Sequence, residues 1–186
     1  MAVQFPALEA KHRAFIGRQR IFFTASAAPQ ARVNISPRST DAFRILGANQ
    51  VAYLDLTGSG NETAAHLLAD GRLTIMFCAF EGPPLILRLY GRGRSLHRGQ
   101  EDYARALGAW FDGQEPLGAR QIVVQEIDLV QTSCGFGVPL FEHRGERDAL
   151  ERWAAARGGE AGLAAYRQEK NAVSIDGLPT GIPTDQ

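Results

Sequence analysis

Apolar and polar residues alternate over several short stretches of the chain, which is the pattern of strands with one face buried. Arg32 to Ser36 and Gln50 to Leu56 alternate in this way. Leu73 to Phe80 is almost continuously apolar and predicts a strand buried on both faces. Glycines at 91 and 93 predict a bend or bulge in a longer strand. The further predicted strands are Ile21–Ser26, Leu85–Leu96 and Gln121–Val130.

Apolar residues recur at helical spacing between some of these strands and in the C-terminal part of the chain. Helices are predicted at about Ala7–Arg18, Asn61–Ala69, Asp102–Phe111, Glu146–Arg157 and Glu160–Lys170. Six strands with hairpin-length connections and only short helices favour an antiparallel barrel or sandwich over a doubly wound sheet. The pattern therefore predicts a mainly β chain with α-helices, of the α+β class.

Composition and charge exclude several classes of function. The chain has 186 residues, with 20 basic and 20 acidic side chains, so no net charge attracts nucleic acid or an anionic membrane. Two cysteines, Cys78 and Cys134, cannot form a disulfide framework or a cysteine-only zinc site. The N-terminus lacks the pattern of a signal peptide, and no apolar run is long enough to span a bilayer. We therefore expect a soluble, cytoplasmic protein.

The first candidate for a ligand site is the turn Thr57-Gly-Ser-Gly-Asn-Glu-Thr63, which joins a predicted strand to a predicted helix. Ser59 and Glu62 have the spacing of a capping box, which predicts that Ser59 is the N-cap residue. A glycine-rich turn at a helix N-terminus also presents free amides and the positive end of the helix dipole, which suit a phosphate. The turn is interpreted either as a phosphate site or as a well-capped turn alone.

A second candidate is a polar row on one predicted strand. Arg32, Asn34 and Ser36 share a face, and Arg38 continues the row after Pro37. A row with two arginines suits the recognition of anions or carbonyl groups. The ordinary alternative is a solvated strand face.

Arg88 is a single charge within an apolar strand, on the same face as Tyr90. It either extends along apolar surface to reach water or contacts a ligand beside Tyr90. No catalytic acid, base or nucleophile is identified, since the sequence contains no nucleophile elbow and no Ser-His-Asp signature. No metal site is expected, because metal-ligand spacing is absent from the four histidines, His12, His66, His97 and His143.

Taken together, these motifs resemble the pyridoxamine 5′-phosphate oxidase-like family of flavin-binding split barrels. The order of elements matches from about Ile21 to Leu96. The segment Arg32-Val-Asn-Ile-Ser-Pro-Arg38 is similar to the family's second strand, which ends in a basic residue. Val51 to Asn61 looks like the strand, turn and helix start that carry the flavin phosphate. Cys134–Pro139 and Ser174–Pro179 resemble an uncharacterised branch of the family.

The resemblance implies an antiparallel split β-barrel, residues 1–140, that binds FMN, and a helical C-terminal extension, residues 141–186, packed on the same domain. It also implies a homodimer with the flavin at the subunit interface. Nucleic acid and membrane are not expected as partners. The implied cofactor contacts lie on the polar row, at the end of the neighbouring strand, in the turn, and at one further arginine: Asn34, Ser36, Pro37, Arg38, Tyr53, Asp55, Ser59, Gly60, Asn61, Glu62, Thr63 and Arg88.

One departure from the family pattern concerns charge. Classical members place an Arg-Lys pair where this sequence has Gly60 and Asn61, so two charge-assisted contacts to a phosphate are absent. The end of the chain also differs from the classical ending that reads the pyridoxal substrate, so pyridoxamine phosphate oxidation is not predicted. Two functions stay open: an FMN-dependent oxidoreductase acting on an unidentified small molecule, and a non-catalytic split-barrel dimer that binds flavin or another cofactor.

Overall fold

An antiparallel sheet of eight strands curls into a split barrel, and five α-helices accompany it, in a computed structural model that describes residues 2–183. The strands are β1 (Val3–Phe5), β2 (Ile21–Ser26), β3 (Asn34–Ser39), β4 (Phe43–Ile45), β5 (Gln50–Leu56), β6 (Arg72–Cys78), β7 (Ile86–His97) and β8 (Ala119–Ser133). The helices are α1 (Ala10–Ile16), α2 (Glu62–Ala69), α3 (Glu101–Trp110), α4 (Ala149–Ala156) and α5 (Gly159–Lys170). The predicted α+β split barrel is confirmed.

The split in the barrel lies between its two edge strands. The sheet runs in the order β3-β2-β6-β7-β8-β5-β4, with β1 added to β8. Among the residues that the structure describes, β3 pairs only with β2, and β4 pairs only with β5. Side chains that connect β3 to β5 therefore bridge a gap that no ladder of backbone hydrogen bonds closes.

Two apolar clusters cover the sheet, and β5 contributes to both. Val51 and Tyr53 belong to the larger cluster, whereas Ala52 and Leu54 belong to the smaller one. Strand β5 is therefore buried on both faces, so its alternating sequence pattern does not mark a solvated face. The side chains in the larger cluster that are fully buried include Phe22, Tyr53, Ile75, Phe77, Leu87 and Leu89.

All six predicted strands are confirmed; β2 and β5 have the predicted bounds, and the bounds of the other four differ. Strand β3 is shifted towards the C-terminus and contains Pro37, which an edge strand tolerates because its outer side has no ladder to interrupt. Strand β8 extends beyond the predicted range at both ends. Strands β1 and β4 were missing from the prediction, because three residues are too few to show a periodic pattern.

The five predicted helices are also confirmed, each with bounds that differ by a few residues. Helix α2 packs against β7, β2 and β6, and α3 packs against β8 and β7. In the C-terminal part, Trp153 of α4 meets Tyr166 of α5 edge to face, with ring centroids 5.0 Å apart. Within residues 2–183, no helix has the length and apolar character needed to cross a membrane.

The predicted irregularity in the long strand is a β-bulge next to Gly91. The pairing register between β7 and β8 shifts between Tyr90 and Gly91. A Cβ atom at Gly91 would lie 1.9 Å from the carbonyl oxygen of Glu126 and 3.0 Å from the Cα atom of Ile127. Both atoms belong to the backbone of β8, so no side-chain movement can relieve the clash.

We predict that Gly91→Ala lowers the free energy of unfolding by about 2 kcal/mol or more, because the methyl group forces the two strands apart. Urea denaturation followed by circular dichroism measures the change. Gly47→Ala is the matched control, since a Cβ there would meet no heavy atom within 4 Å. Equal stability of the two variants would contradict this account of the bulge.

Candidate functional site

A buried carboxylate on β5 is the centre of the polar contacts around the split. Asp55 is 1% exposed. One of its oxygens accepts a hydrogen bond from Arg38 of β3. The other accepts from Arg120 Nε at 2.9 Å and from Gln121 Nε2 at 2.8 Å, both on β8. Asp55 therefore connects the edge strand β3 to β5 and β8.

The charges in this cluster stabilise one another. Burial alone would raise the pKa of Asp55, but the guanidinium groups of Arg120 and Arg38 outweigh burial and hold that pKa below its ordinary value. Burial would lower the pKa of Arg38, yet Asp55 raises it overall. The Arg38 guanidinium lies 4.8 Å from the ring centroid of Tyr53, and burial raises the pKa of Tyr53 to about 12. Near neutral pH the cluster thus contains ionised Asp55, two charged arginines and a neutral tyrosine.

Three members of the predicted polar row lie on β3 and are half-buried, whereas Arg32 precedes the strand and is exposed. Asn34, Ser36 and Arg38 oppose Ser26, Thr24 and Phe22 of β2, whose side chains are buried. The three residues therefore point to the same side of the sheet as those buried neighbours. Asn34 Nδ2 donates to Thr63 Oγ1 at 3.0 Å, and Ser36 Oγ donates to Asn34 Oδ1 at 3.3 Å. The row thus connects the first turn of α2 to Arg38.

The predicted capping box is wrong. Helix α2 begins at Glu62, its N-cap residue is Asn61, and no side chain caps it. Ser59 is exposed, and the Glu62 carboxylate accepts the backbone N–H of Ile175 at 3.1 Å. The buried side chain of Asn61 accepts from Gln121 Nε2 at 2.8 Å, which fixes the residue before the helix. Contacts from β8 therefore set the helix start, and a local capping pattern cannot show them.

The turn before α2 can still accept an anion. Within residues 2–183, the amides of Glu62, Thr63 and Ala64 and the hydroxyl of Ser59 donate to no recorded acceptor. A Cβ atom at Gly58 would have no heavy atom within 4 Å, so the turn is open to solvent. Free amides at a helix N-terminus fit a phosphate group.

A basic side chain also reaches the turn from the strand behind it. Arg120 Nη1 donates to the carbonyl oxygen of Gly60 at 2.8 Å. The same guanidinium is paired with the buried Asp55, a carboxylate that it shares with Arg38, so Arg120 is held behind the turn, where it fixes the shape of the turn. The free amides and hydroxyl, rather than an added cation, are therefore what the turn offers to an anion.

The C-terminal hairpin, residues 172–180, lies against this turn. Val173 and Pro179 form an antiparallel bridge within it. Asn171, which precedes the hairpin and is fully buried, donates from Nδ2 to the carbonyl oxygen of Gly58 at 3.0 Å and accepts from Arg120 Nη1 at 2.9 Å. Asp176 forms an ion pair with Arg32. The end of the chain is therefore part of the candidate site.

A cavity of about 1010 Å³ opens at the end of the polar row. Pro37, Arg38 and Ser39 form part of its wall, together with the connection from α1 to β2, the turn between β6 and β7, and residues 141–147. This volume is at the upper end of the range of small-molecule sites. Its apolar wall includes Phe15, Phe80, Pro83, Pro84 and Phe141.

Arg88 and Pro37 lie on the opposite face of the sheet from the polar row. Successive pairing partners place Arg88 opposite Met76, Met76 opposite Phe23, and Phe23 opposite Pro37. Partners that oppose each other directly share a face. Arg88 Nη1 donates to Ser133 Oγ at 3.2 Å. The structure therefore brings together the candidates in the row, on β5 and in the turn, and separates Arg88 from them. Pro37 meets the site only at the wall of the cavity, beside Arg38.

Sequence reasoning missed three residues of the site: Arg120, Gln121 and Asn171. Arg120 and Gln121 are two adjacent polar residues directly before the apolar run Ile122-Val-Val124, and that was the available signal. Asn171 directly follows the last residue of α5. The partners that tie them to the site lie 51 to 113 positions away in the chain, so no local pattern could have identified them.

Comparisons with known proteins agree on one family. The family model described as pyridoxamine 5′-phosphate oxidase matches residues 8–134. The pyridoxamine 5′-phosphate oxidase family protein ustO of Aspergillus flavus is 34% identical over 197 residues, which cover 96% of this chain and 78% of that protein. An alignment of that extent includes most of the C-terminal region that the family model leaves out.

Solved structures share the fold. HupZ of Group A Streptococcus, in a variant form, superposes with a TM-score of 0.55 at 17% identity, over 67% of this chain and 98% of HupZ. A candidate pyridoxamine 5′-phosphate oxidase from Lactobacillus delbrueckii gives a TM-score of 0.52 at 11% identity, over 68% of this chain and 94% of that one. Identities this low show a common architecture alone.

We predict that Asp55→Asn lowers the free energy of unfolding by about 3–5 kcal/mol, because it leaves two buried guanidinium groups without their counter-charge. Urea denaturation at neutral pH measures the loss. Asp148→Asn, which removes a carboxylate from an exposed pair with Arg152, is the control and should cost less than about 0.5 kcal/mol.

The same cluster predicts how stability depends on pH. Because the pKa of Asp55 is lower in the folded protein than in the unfolded chain, its contribution is present above the ordinary carboxyl pKa of about 3.9 and is lost as pH falls through the folded value. Asp55→Asn should lack this part of the acid dependence. An unchanged acid profile together with unchanged stability would contradict the role given to Asp55.

Proposed function

The chain belongs to the pyridoxamine 5′-phosphate oxidase family, and from this premise we propose that it binds FMN and acts as a flavin-dependent oxidoreductase on a small molecule. One observation carries the proposal. The half-buried row of Asn34, Ser36 and Arg38 leads from the open turn at the start of α2 to a cavity large enough for a small molecule. The proposed phosphate site, the row of polar side chains and the cavity therefore follow one another in that order.

The row suits an extended cofactor with a phosphate at one end and a planar ring at the other. Asn34 and Arg38 are four residues apart on a strand, which corresponds to about 13 Å. Asn34 and Ser36 offer an amide and a hydroxyl to the ribityl hydroxyl groups of FMN. The turn offers the hydroxyl of Ser59 and the amides of Glu62 and Thr63 to the phosphate, with Gly60 and Asn61 shaping it.

The remaining candidate residues would support the cofactor site without contacting the cofactor from the same subunit. Tyr53 and Asp55 are buried and hold the Arg38 guanidinium in place, so we assign them a positioning role. Pro37 and Arg88 face the other side of the sheet. We assign them to a subunit interface through which a second copy would complete the flavin site.

When bound, FMN would supply hydride or electron transfer, and the protein would supply placement and hydrogen bonds. Arg38 stays protonated beside Asp55 and therefore donates hydrogen bonds at the end of the row where the cavity begins. The apolar part of the cavity wall, which includes Phe15 and Phe80, would exclude water from that end.

A non-catalytic flavin-binding dimer is the second candidate, and one observation favours it. The two ionisable groups at the end of the row are held in fixed states, with Asp55 ionised and Arg38 protonated. Neither is suited to exchange a proton with a substrate near neutral pH. Anaerobic addition of NADH or NADPH discriminates the two functions, because an oxidoreductase that uses them would lose its oxidised flavin spectrum.

We assign residues 1–140 to the cofactor-binding barrel and residues 141–186 to an extension packed on it. Two observations support the packing of the extension on the barrel. Leu163 of α5 is fully buried, and Arg167 Nη1 of α5 donates to Thr57 Oγ1 at 3.2 Å. The extension thus reaches the strand end from which the turn of the candidate site begins.

A purified preparation that binds FMN should show the flavin visible spectrum, and FMN fluorescence should be quenched on titration. We expect the double variant Asn34→Ala/Ser36→Ala to weaken FMN binding about tenfold, since two hydrogen bonds of about 1 kcal/mol or less each are lost. Gln114→Ala, an exposed position outside the site, is the control. A colourless protein that leaves added FMN unquenched would show that the proposed cofactor is wrong.

We expect the protein to form a homodimer through the outer face of the sheet, where Ile21, Phe23, Met76 and Ile86 are half-exposed. Light scattering should give about twice the chain mass of 20.2 kDa. Phe23→Glu should shift the mass towards that of one chain by placing a charge in an apolar interface. Leu117→Glu changes an exposed apolar residue of a loop and should leave the mass unchanged. A monomeric wild-type protein would exclude a shared flavin site.

A further inference from the structure

The C-terminal hairpin is held on the candidate site by two carboxylates rather than by an apolar contact. The Glu62 carboxylate accepts the backbone N–H of Ile175. The Asp176 carboxylate accepts the backbone N–H of Arg32 at 2.8 Å and also pairs with the Arg32 guanidinium. On the first arm of the hairpin, Val173 and Ile175 are 54% and 72% exposed, so these two side chains contribute little apolar burial.

The hairpin keeps its own shape. Ser174 donates from its backbone N–H to the carbonyl oxygen of Leu178 at 2.9 Å, and Leu178 donates to Ser174 Oγ at 3.1 Å. Gly177 adopts a φ of 81°, which favours glycine in this turn. Thr180 Oγ1 donates to the carbonyl oxygen of the buried Asn171 at 2.7 Å, which fixes the base of the hairpin. A preformed hairpin on a fixed base can move as a unit when its outer contacts are released.

The charges at the tip oppose a bound phosphate. The Glu62 carboxylate lies 3.3 Å from the position that a Cβ atom on Gly60 would occupy, so it borders the open turn. Asp176 follows Ile175, the residue whose backbone N–H the Glu62 carboxylate accepts. The Asp176 carboxylate pairs with Arg32, a cation with no other recorded side-chain partner within residues 2–183. A phosphate at the turn would be repelled by both carboxylates and would compete with Asp176 for the Arg32 guanidinium.

We propose that the C-terminal hairpin is a strap over the turn, held closed by Asp176 acting as an internal anion, and that an incoming phosphate takes Arg32 from Asp176 and releases the strap. The inference rests on the proposed function for the identity of the phosphate, which is that of FMN. Because the ligand and Asp176 compete for one guanidinium, loss of the Asp176 charge must favour the ligand, and binding of the ligand must open the strap.

Hydrogen exchange measured by mass spectrometry tests the strap on the full chain. We expect FMN to speed exchange in peptides that contain residues 173–179, and inorganic phosphate at high concentration to act in the same direction. Asp176→Asn should show the faster exchange without any ligand. It should also bind FMN about threefold more tightly, the effect expected from one partly exposed ion pair.

Two further variants make the test specific. Arg32→Gln should also loosen the strap, but it should bind FMN more weakly, so the two partners of one ion pair should change affinity in opposite directions. Asp148→Asn makes the same change of charge in an exposed pair away from the site and should alter neither readout.

The outcomes separate the strap from the cofactor proposal. If FMN binds while the hairpin exchanges at the same or a slower rate, or if Asp176→Asn weakens binding, the strap is wrong and the flavin proposal stands. If FMN fails to bind but phosphate and Asp176→Asn both speed exchange, the strap stands and FMN is the wrong ligand. If neither ligand changes the exchange, the strap is wrong.

Discussion

The ion pairs of Asp55 determine how the two edges of the split barrel are held relative to each other. Within residues 2–183, backbone hydrogen bonds hold β3 to β2 but do not connect it to β5, and Arg38 reaches Asp55 across that gap. The same carboxylate binds Arg120, which in turn holds Gly60 and Asn171. One buried charge therefore fixes the polar row, the turn before α2 and the base of the C-terminal hairpin. A site assembled in this way depends on electrostatic balance as much as on the apolar core.

The arrangement also explains how the turn can differ from the family pattern without losing its shape. An Arg-Lys pair in the turn would bring its charge towards solvent and a ligand. In this chain a guanidinium reaches the turn from β8, behind it, and is paired with Asp55, which also pairs with Arg38. The turn is thus rigid but carries little positive charge of its own. Its affinity for an anion depends on amides, a hydroxyl and whatever cation the rest of the chain can provide.

The order of strands and helices could be predicted from the sequence because each long element carries its own periodic signal. The polar row could be predicted for the same reason, since Asn34 and Ser36 alternate with exposed apolar residues along β3. The N-cap of α2 could not, because Gln121 holds Asn61 from another strand. The burial of Asp55 could not be predicted either, because its three partners come from β3 and β8. A sequence shows which residue types are close along the chain, whereas long-range pairs of charges can be identified only once the fold is known.

Pro37 has a consequence for how the molecule can associate. It lies within β3, an exposed edge of the sheet, where Val33 and Ile35 nearby are 69% and 66% exposed. An unprotected edge with such residues would recruit a strand from another molecule and lead to open-ended assembly. A proline cannot donate a hydrogen bond to an added strand, so it protects this edge against fibre-like growth. Pro37 limits association through this edge and leaves the face of the sheet unaffected.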